Sequence, residues 1–152
     1  FTKGTSITLN WTAVPGATGY TIQRSTTSDF ASVTSQTTSS TSVTFSGLTS
    51  GTTYYYRGTA TDGTATSAFG NTASSTQDAS TPVITITAPA NNTTTTANSI
   101  IVSGTATDTI SSLTAVVVNG VNAVSSDNYA TWTATVPLTP GANVRRWVEM
   151  NR

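Results

Sequence analysis

Along residues 6–11, Ser-Ile-Thr-Leu-Asn-Trp, polar and apolar positions alternate, which places Ile7, Leu9 and Trp11 on one face of an extended strand. Similar short blocks recur down the chain, broken about every 8–12 residues by Gly, Pro, Asn or Ser-Thr clusters, the spacing of sandwich strands. Helix signals are nearly missing. In the first half the pattern predicts strands at residues 5–12, 19–25, 32–36, 41–46, 53–61 and 68–75. Tyr20, Ile22, Val33, Val43 and Phe45 carry the apolar positions of the middle strands. Tyr54 and Tyr56 share an inward face, and Tyr55 points the other way.

In the second half strands are predicted at residues 83–87, 99–107, 113–118, 121–124 and 129–138. Ile100 and Val102 face inward on one, and Trp132, Ala134 and Val136 on another. Asn119-Gly120 is a two-residue hairpin signal, because both positions of such a turn need positive φ.

Three blocks in the first half carry a family resemblance. They are Trp11, the run Pro15-Gly16-Ala17-Thr18-Gly19-Tyr20, and the corner Leu48-Thr49-Ser50-Gly51-Thr52-Thr53-Tyr54. In order and spacing, residues 5–76 resemble a bacterial fibronectin type III domain. The resemblance implies that Tyr54 packs into the core with its hydroxyl bonded to nearby backbone. It also implies a structural core built on Trp11, Tyr20, Leu48 and Tyr54. Two departures stand out. The chain starts too close to Trp11 for a full first strand, and Gly58 occupies an inward position where a larger apolar side chain is usual.

Residues 82–143 resemble bacterial immunoglobulin-like modules. The supporting runs are Val83 to Pro89, Val102-Ser103-Gly104-Thr105-Ala106-Thr107-Asp108, Val116-Val117-Val118-Asn119-Gly120 and Trp132-Thr133-Ala134-Thr135-Val136-Pro137-Leu138, with Trp132 as the core anchor. After Asn143 the pattern breaks into Val-Arg-Arg-Trp-Val-Glu-Met-Asn-Arg, which holds three of the six basic residues and the only Glu and Met. The expected fold is therefore all-β, with two tandem immunoglobulin-like β-sandwiches. The fibronectin type III-like one covers residues 1–76 with its first strand missing. A linker covers 77–82. The bacterial Ig-like one covers 83–152 with its last strand missing or altered.

Composition narrows the function classes. Charged residues are 8 %, against roughly 25 % in an average soluble protein, and the net charge is zero. Nucleic-acid binding through phosphate contacts has no basic stripe to rest on, and no apolar run is long enough to insert in a membrane. Threonine makes up about a quarter of the chain. It favours strands and keeps their outward faces wet without charge, which suits an extracellular or cell-surface setting, and the resemblance to bacterial modules implies a bacterial source. Cysteine and histidine are both absent, so thiolate, zinc-thiolate and Ser-His-Asp chemistry are closed.

The acidic residues Asp29, Asp62, Asp78, Asp108, Asp127 and Glu149 are scattered, and Asp62-Gly63 and Asp127-Asn128 read first as turns. No catalytic, metal or cofactor site is expected. Tyr55, Tyr129, Phe30 and Phe69 are the candidate aromatics for stacking on a ligand such as a sugar ring. Asn91 and Asn92 match the glycosylation pattern in a polar loop, and Asn10 matches it on a strand. The leading expectation is a non-catalytic extracellular spacer or adhesion module. The alternatives are a carbohydrate-binding accessory module of a secreted polysaccharide-degrading enzyme, and a filament subunit assembled by β-strand addition. Partners would be other protein domains or copies of the chain through sheet edges, or polysaccharide.

Overall fold

The computed structural model describes residues 1–143 and 148–151, the last four by their backbone alone. The chain divides into two compact units, Phe1–Ala79 and Ser80–Arg152, each with its own core. Among the described residues every regular element is a strand.

The first unit contains β1 (Thr2–Lys3), β2 (Ile7–Asn10), β3 (Gly19–Ser25), β4 (Thr34–Thr38), β5 (Ser42–Phe45), β6 (Thr53–Thr61) and β7 (Ala73–Asp78). One sheet has the order β1-β7-β6-β3-β4, and β2 pairs with β5 in the other. Alternation drives both inner faces together. Tyr20, Ile22, Phe45, Leu48, Tyr54 and Tyr56 are buried, with Ile7, Leu9, Trp11 and Val43 packed against them. Two tyrosine hydroxyls are tied to backbone: the Thr49 N–H donates to the Tyr54 hydroxyl at 3.0 Å, and the Val14 N–H donates to that of Tyr20 at 3.0 Å. A Cβ at Gly58 would lie 2.6 Å from the Ile22 Cδ1, so the Ile22 side chain fills the space a larger residue would take.

Several predicted limits move. Val33 lies ahead of β4 and is exposed, because β4 pairs with β3 only from Thr34 onward. The last strand begins at Ala73 rather than residue 68. Gln77 and Asp78, expected in the linker, end that strand fully buried. The physical reason is backbone pairing: the Gln77 N–H donates to the Thr52 carbonyl, the Gln77 carbonyl accepts from the Gly51 N–H, and Thr2–Lys3 runs parallel alongside. The two-residue β1 thus edges this sheet through its parallel pairing with β7.

The second unit contains β8 (Val83–Ala88), β9 (Ser99–Thr107), β10 (Ala115–Val118), β11 (Val121–Asn122), β12 (Thr131–Pro137) and β13 (Val148–Asn151). Its sheets have the orders β12-β9-β8 and β11-β10-β13. Val102, Ala106, Leu113, Val116, Val118, Trp132, Ala134 and Val136 form the core. Asn119 and Gly120 turn β10 into β11 with φ of 49° and 80°, the paired positive values that their types predict. The expectation of a missing or altered last strand falls on the tail. There β13 pairs antiparallel with β10, Val116 opposite Met150, whereas residues 144–147 and 152 lie outside the described set. Composition does not announce this strand; its backbone pairing forms it.

Candidate functional site

The outer face of the five-stranded sheet gathers two of the four candidate aromatics, Phe30 and Phe69, around Arg57, with Tyr55 on the same face. Tyr54 and Tyr56 face the core, so the intervening Tyr55 and the next odd position, Arg57, face outward. Register sets Arg57 opposite Gln23, and the Arg57 Nε–H donates to the Gln23 Oε1 at 2.9 Å. Two loops then close over the guanidinium. Phe30, between β3 and β4, places its ring centroid 4.0 Å from the guanidinium carbon, and Phe69, between β6 and β7, does so at 3.9 Å. The cation thus lies over two aromatic rings, whose faces carry the negative part of the ring quadrupole.

Local chemistry holds Phe30 in place. The Asp29 Oδ1 accepts from the Thr27 Oγ1 at 2.6 Å and from the Ala31 N–H at 3.0 Å, and these bonds, the Thr27 one foremost, hold its carboxyl below the usual value of 3.8. Phe30 itself has φ of 58°, the left-handed region. That conformation costs about 1–2 kcal/mol for a residue with a Cβ, similar to the roughly 0.5–2 kcal/mol a cation–π contact returns. Phe30 is buried under this arrangement, contrary to its reading as an exposed aromatic, because the loop folds its ring onto Arg57. Phe69 remains 44 % exposed. Tyr129 is also not a free aromatic: it packs half-buried against the core of the second unit.

Arg24, the neighbouring cation on β3, goes the other way. Its guanidinium sits 5.5 Å from the Phe45 ring centroid and 5.2 Å from that of Tyr54. The alternation of tyrosines points to Arg57 as an outward residue. The rings that clamp it come from loops, whose paths alternation does not give.

A second feature is a cleft of about 370 Å³ in the first unit, mainly apolar. One wall is Leu9–Trp11 at β2, and the other is the segment of residues 67–73 leading into β7. Trp11 is half-buried on this wall rather than enclosed, and its indole Nε1–H has no hydrogen-bond partner among the described residues. The buried ring beside it is that of Tyr20, which meets the indole edge-on with the centroids 5.3 Å apart.

The carboxylates are occupied with backbone. The Asp62 Oδ1 accepts from the Thr64 and Ala65 N–H groups, both at 2.8 Å. The Asp108 Oδ1 accepts from Ile110 and Ser111 N–H at 2.9 Å and from the Ser80 hydroxyl at 3.0 Å. Asp127 accepts from the Thr131 N–H and hydroxyl and from the Ser125 hydroxyl. Asp62 and Asp127 bind within their own turns and Asp108 also reaches Ser80, and among the described residues no group of three acidic residues could hold a metal ion. Asn91 and Asn92 lie exposed between β8 and β9, and Asn10 is exposed on β2.

No curated protein matches the chain. Family models do. Residues 82–144 match a bacterial Ig domain, and residues 2–77 match the fibronectin type III domain. Both are typically non-catalytic structural or interaction modules. With two sandwiches of the matching all-β kind, the chain belongs to the fibronectin type III family and carries a bacterial Ig domain behind it.

Proposed function

We propose that this chain is a non-catalytic spacer and interaction segment of a larger extracellular or cell-surface protein. The observation that carries the reading is the pair of units with separate cores, each closed around its own aromatic anchor. Its outward strand positions are largely threonine and serine, which hydrate a surface without charge. Such a surface changes little with salt. Antibody labelling of intact source cells tests the location. Labelling that disappears after external protease treatment is expected, and labelling only after permeabilisation overturns the reading.

The open side of the first unit favours a second reading, assembly through β-strand addition between copies. The Trp11 N–H donates to the Thr41 carbonyl and the Thr5 carbonyl accepts from the Leu48 N–H, so the odd positions of β2 bond toward β5. The backbone groups of Thr8 and Asn10 therefore point away from β5, along the border of the apolar cleft. An added strand finds hydrogen-bonding groups and apolar space together there. Sedimentation at rising concentration is expected to show higher assemblies, and a monomer up to millimolar concentration excludes this reading.

A further inference from the structure

We propose that Arg57 is a carboxylate-binding site on the outer face of the first unit, and that its ligand is an acidic polysaccharide carrying uronic acid residues. An arginine offers five N–H donors in a planar fork. One of them, on Nε, is bound to Gln23. The guanidinium carbon lies over two rings, 4.0 Å from the Phe30 centroid and 3.9 Å from that of Phe69. Among the described residues no partner meets the Nη groups, and these nitrogens are not sealed from solvent. Four N–H donors on the two Nη nitrogens are thus left, two of them side by side along the end-on edge of a guanidinium that two rings hold in place. Side-chain entropy is the usual cost of an arginine contact, and here much of it is already spent in folding. Two parallel N–H bonds to one carboxylate fit this edge.

The surroundings select the kind of carboxylate. Register places Thr59, Thr21 and Thr37 in one row across the sheet, next to the row Arg57, Gln23 and Ser35. Hydroxyls in such rows match the hydroxyls of a sugar chain. Tyr55 stands two residues along the same face and presents an aromatic body to a ring beyond the carboxylate. An acidic peptide bearing many carboxylates would call for several spaced cations. Arg24 is turned inward over Phe45 and Tyr54, and Lys3 is on the far edge strand. One fork amid hydroxyls suits one carboxylate per sugar. Nearby Asp29 does not compete for the fork, since it is tied to Thr27 and Ala31.

The site goes beyond the spacer reading and does not depend on it. The test follows the Arg57 Nε–Hε signal by NMR at low salt while the full chain is titrated with trigalacturonate, with galactotriose as the neutral probe and hexaglutamate as the peptide probe. A saturable shift with trigalacturonate alone is expected, with millimolar affinity. Arg57→Lys keeps the charge and loses the fork. Its affinity, read from backbone amide shifts on β3 and β6, is expected to fall at least tenfold. Phe69→Ala removes one of the two rings and is expected to weaken binding severalfold while the fold, checked by amide dispersion, persists. No saturable shift, an equal shift with galactotriose, tighter binding of hexaglutamate, or unchanged affinity in both variants each overturns the proposal.

Discussion

The indole of Trp132 lies directly against Gly104, its register partner on β9. A Cβ built at Gly104 would fall 2.5 Å from the Trp132 Cζ2 and 2.1 Å from the Thr85 carbonyl oxygen. The carbonyl belongs to the neighbouring strand and cannot move without breaking β8–β9 pairing. Gly104→Ala is therefore expected to destabilise the second unit by about 3 kcal/mol, the upper end of overpacking costs. Gly58→Ala is the contrast. Its nearest atom is the tip of the Ile22 side chain, which has rotamers to use, and its cost is expected to be about 1 kcal/mol or less. Denaturant unfolding followed by tryptophan fluorescence measures both, and equal losses would contradict this account.

Tyr54→Phe isolates the hydroxyl at the corner between β5 and β6. Removing it leaves the ring in the core and takes away the acceptor of the Thr49 N–H. A loss of about 1 kcal/mol is expected, the typical net worth of one such bond. Chemical denaturation of the first unit reads it directly, and a loss above about 3 kcal/mol would mean that the hydroxyl organises more than this one contact.

The contrast between Tyr54 and Phe30 shows how far sequence carries. Tyr54 sits in a strand whose alternation determines its face, and the family resemblance implies the bond of its hydroxyl to nearby backbone. Trp132 and Tyr20 are legible because period two assigns an inward side, and Leu48, in the corner between β5 and β6, is legible through the family resemblance. Phe30 and Phe69 lie in loops, where no periodicity fixes direction, and their meeting on Arg57 depends on a positive φ and an Asp29 turn. Trp11 falls between these cases. Its face follows from alternation, but its half-burial depends on which strand borders it. The backbone of Val148–Asn151 joins β10 through hydrogen bonds that its composition does not advertise.

Acid stability depends on the turn carboxylates. Hydrogen bonds from Thr131, first its N–H and then its hydroxyl, hold the Asp127 carboxyl below its ordinary 3.8. Asp29 and Asp62 shift in the same direction through bonds in their own turns, from Thr27 and Ala65 foremost. A carboxylate with a depressed folded pKa adds stability that is present above about pH 3.8 and is lost as pH falls through the lower folded value. With no histidine or cysteine, little else titrates from pH 5 to 8. The expected profile is flat across that window and falls below about pH 4. Asp127→Asn is expected to shrink the acid loss, and carboxyl-carbon NMR is expected to place the Asp127 midpoint below 3.8. A midpoint above that value would reverse the sign.

Backbone exchange along β2 follows from its hydrogen-bond direction. Ile7, Leu9 and Trp11 turn their N–H groups toward β5, as the 3.0 Å bond from Trp11 to Thr41 shows, and Thr8 and Asn10 turn theirs to the border of the cleft. Amide exchange is therefore expected to alternate, with Leu9 and Trp11 slow and Thr8 and Asn10 faster by at least tenfold, on one strand of equal depth. Side-chain burial also alternates, but exchange is controlled by whether the N–H is bonded in the closed state. Raising the protein concentration adds a second readout. Strand addition between copies would slow Thr8 and Asn10 while Leu9 and Trp11 keep their rates. A uniform rate along β2 at low concentration would contradict the pairing described above, and concentration-independent fast exchange at Thr8 and Asn10 would show that this edge stays open.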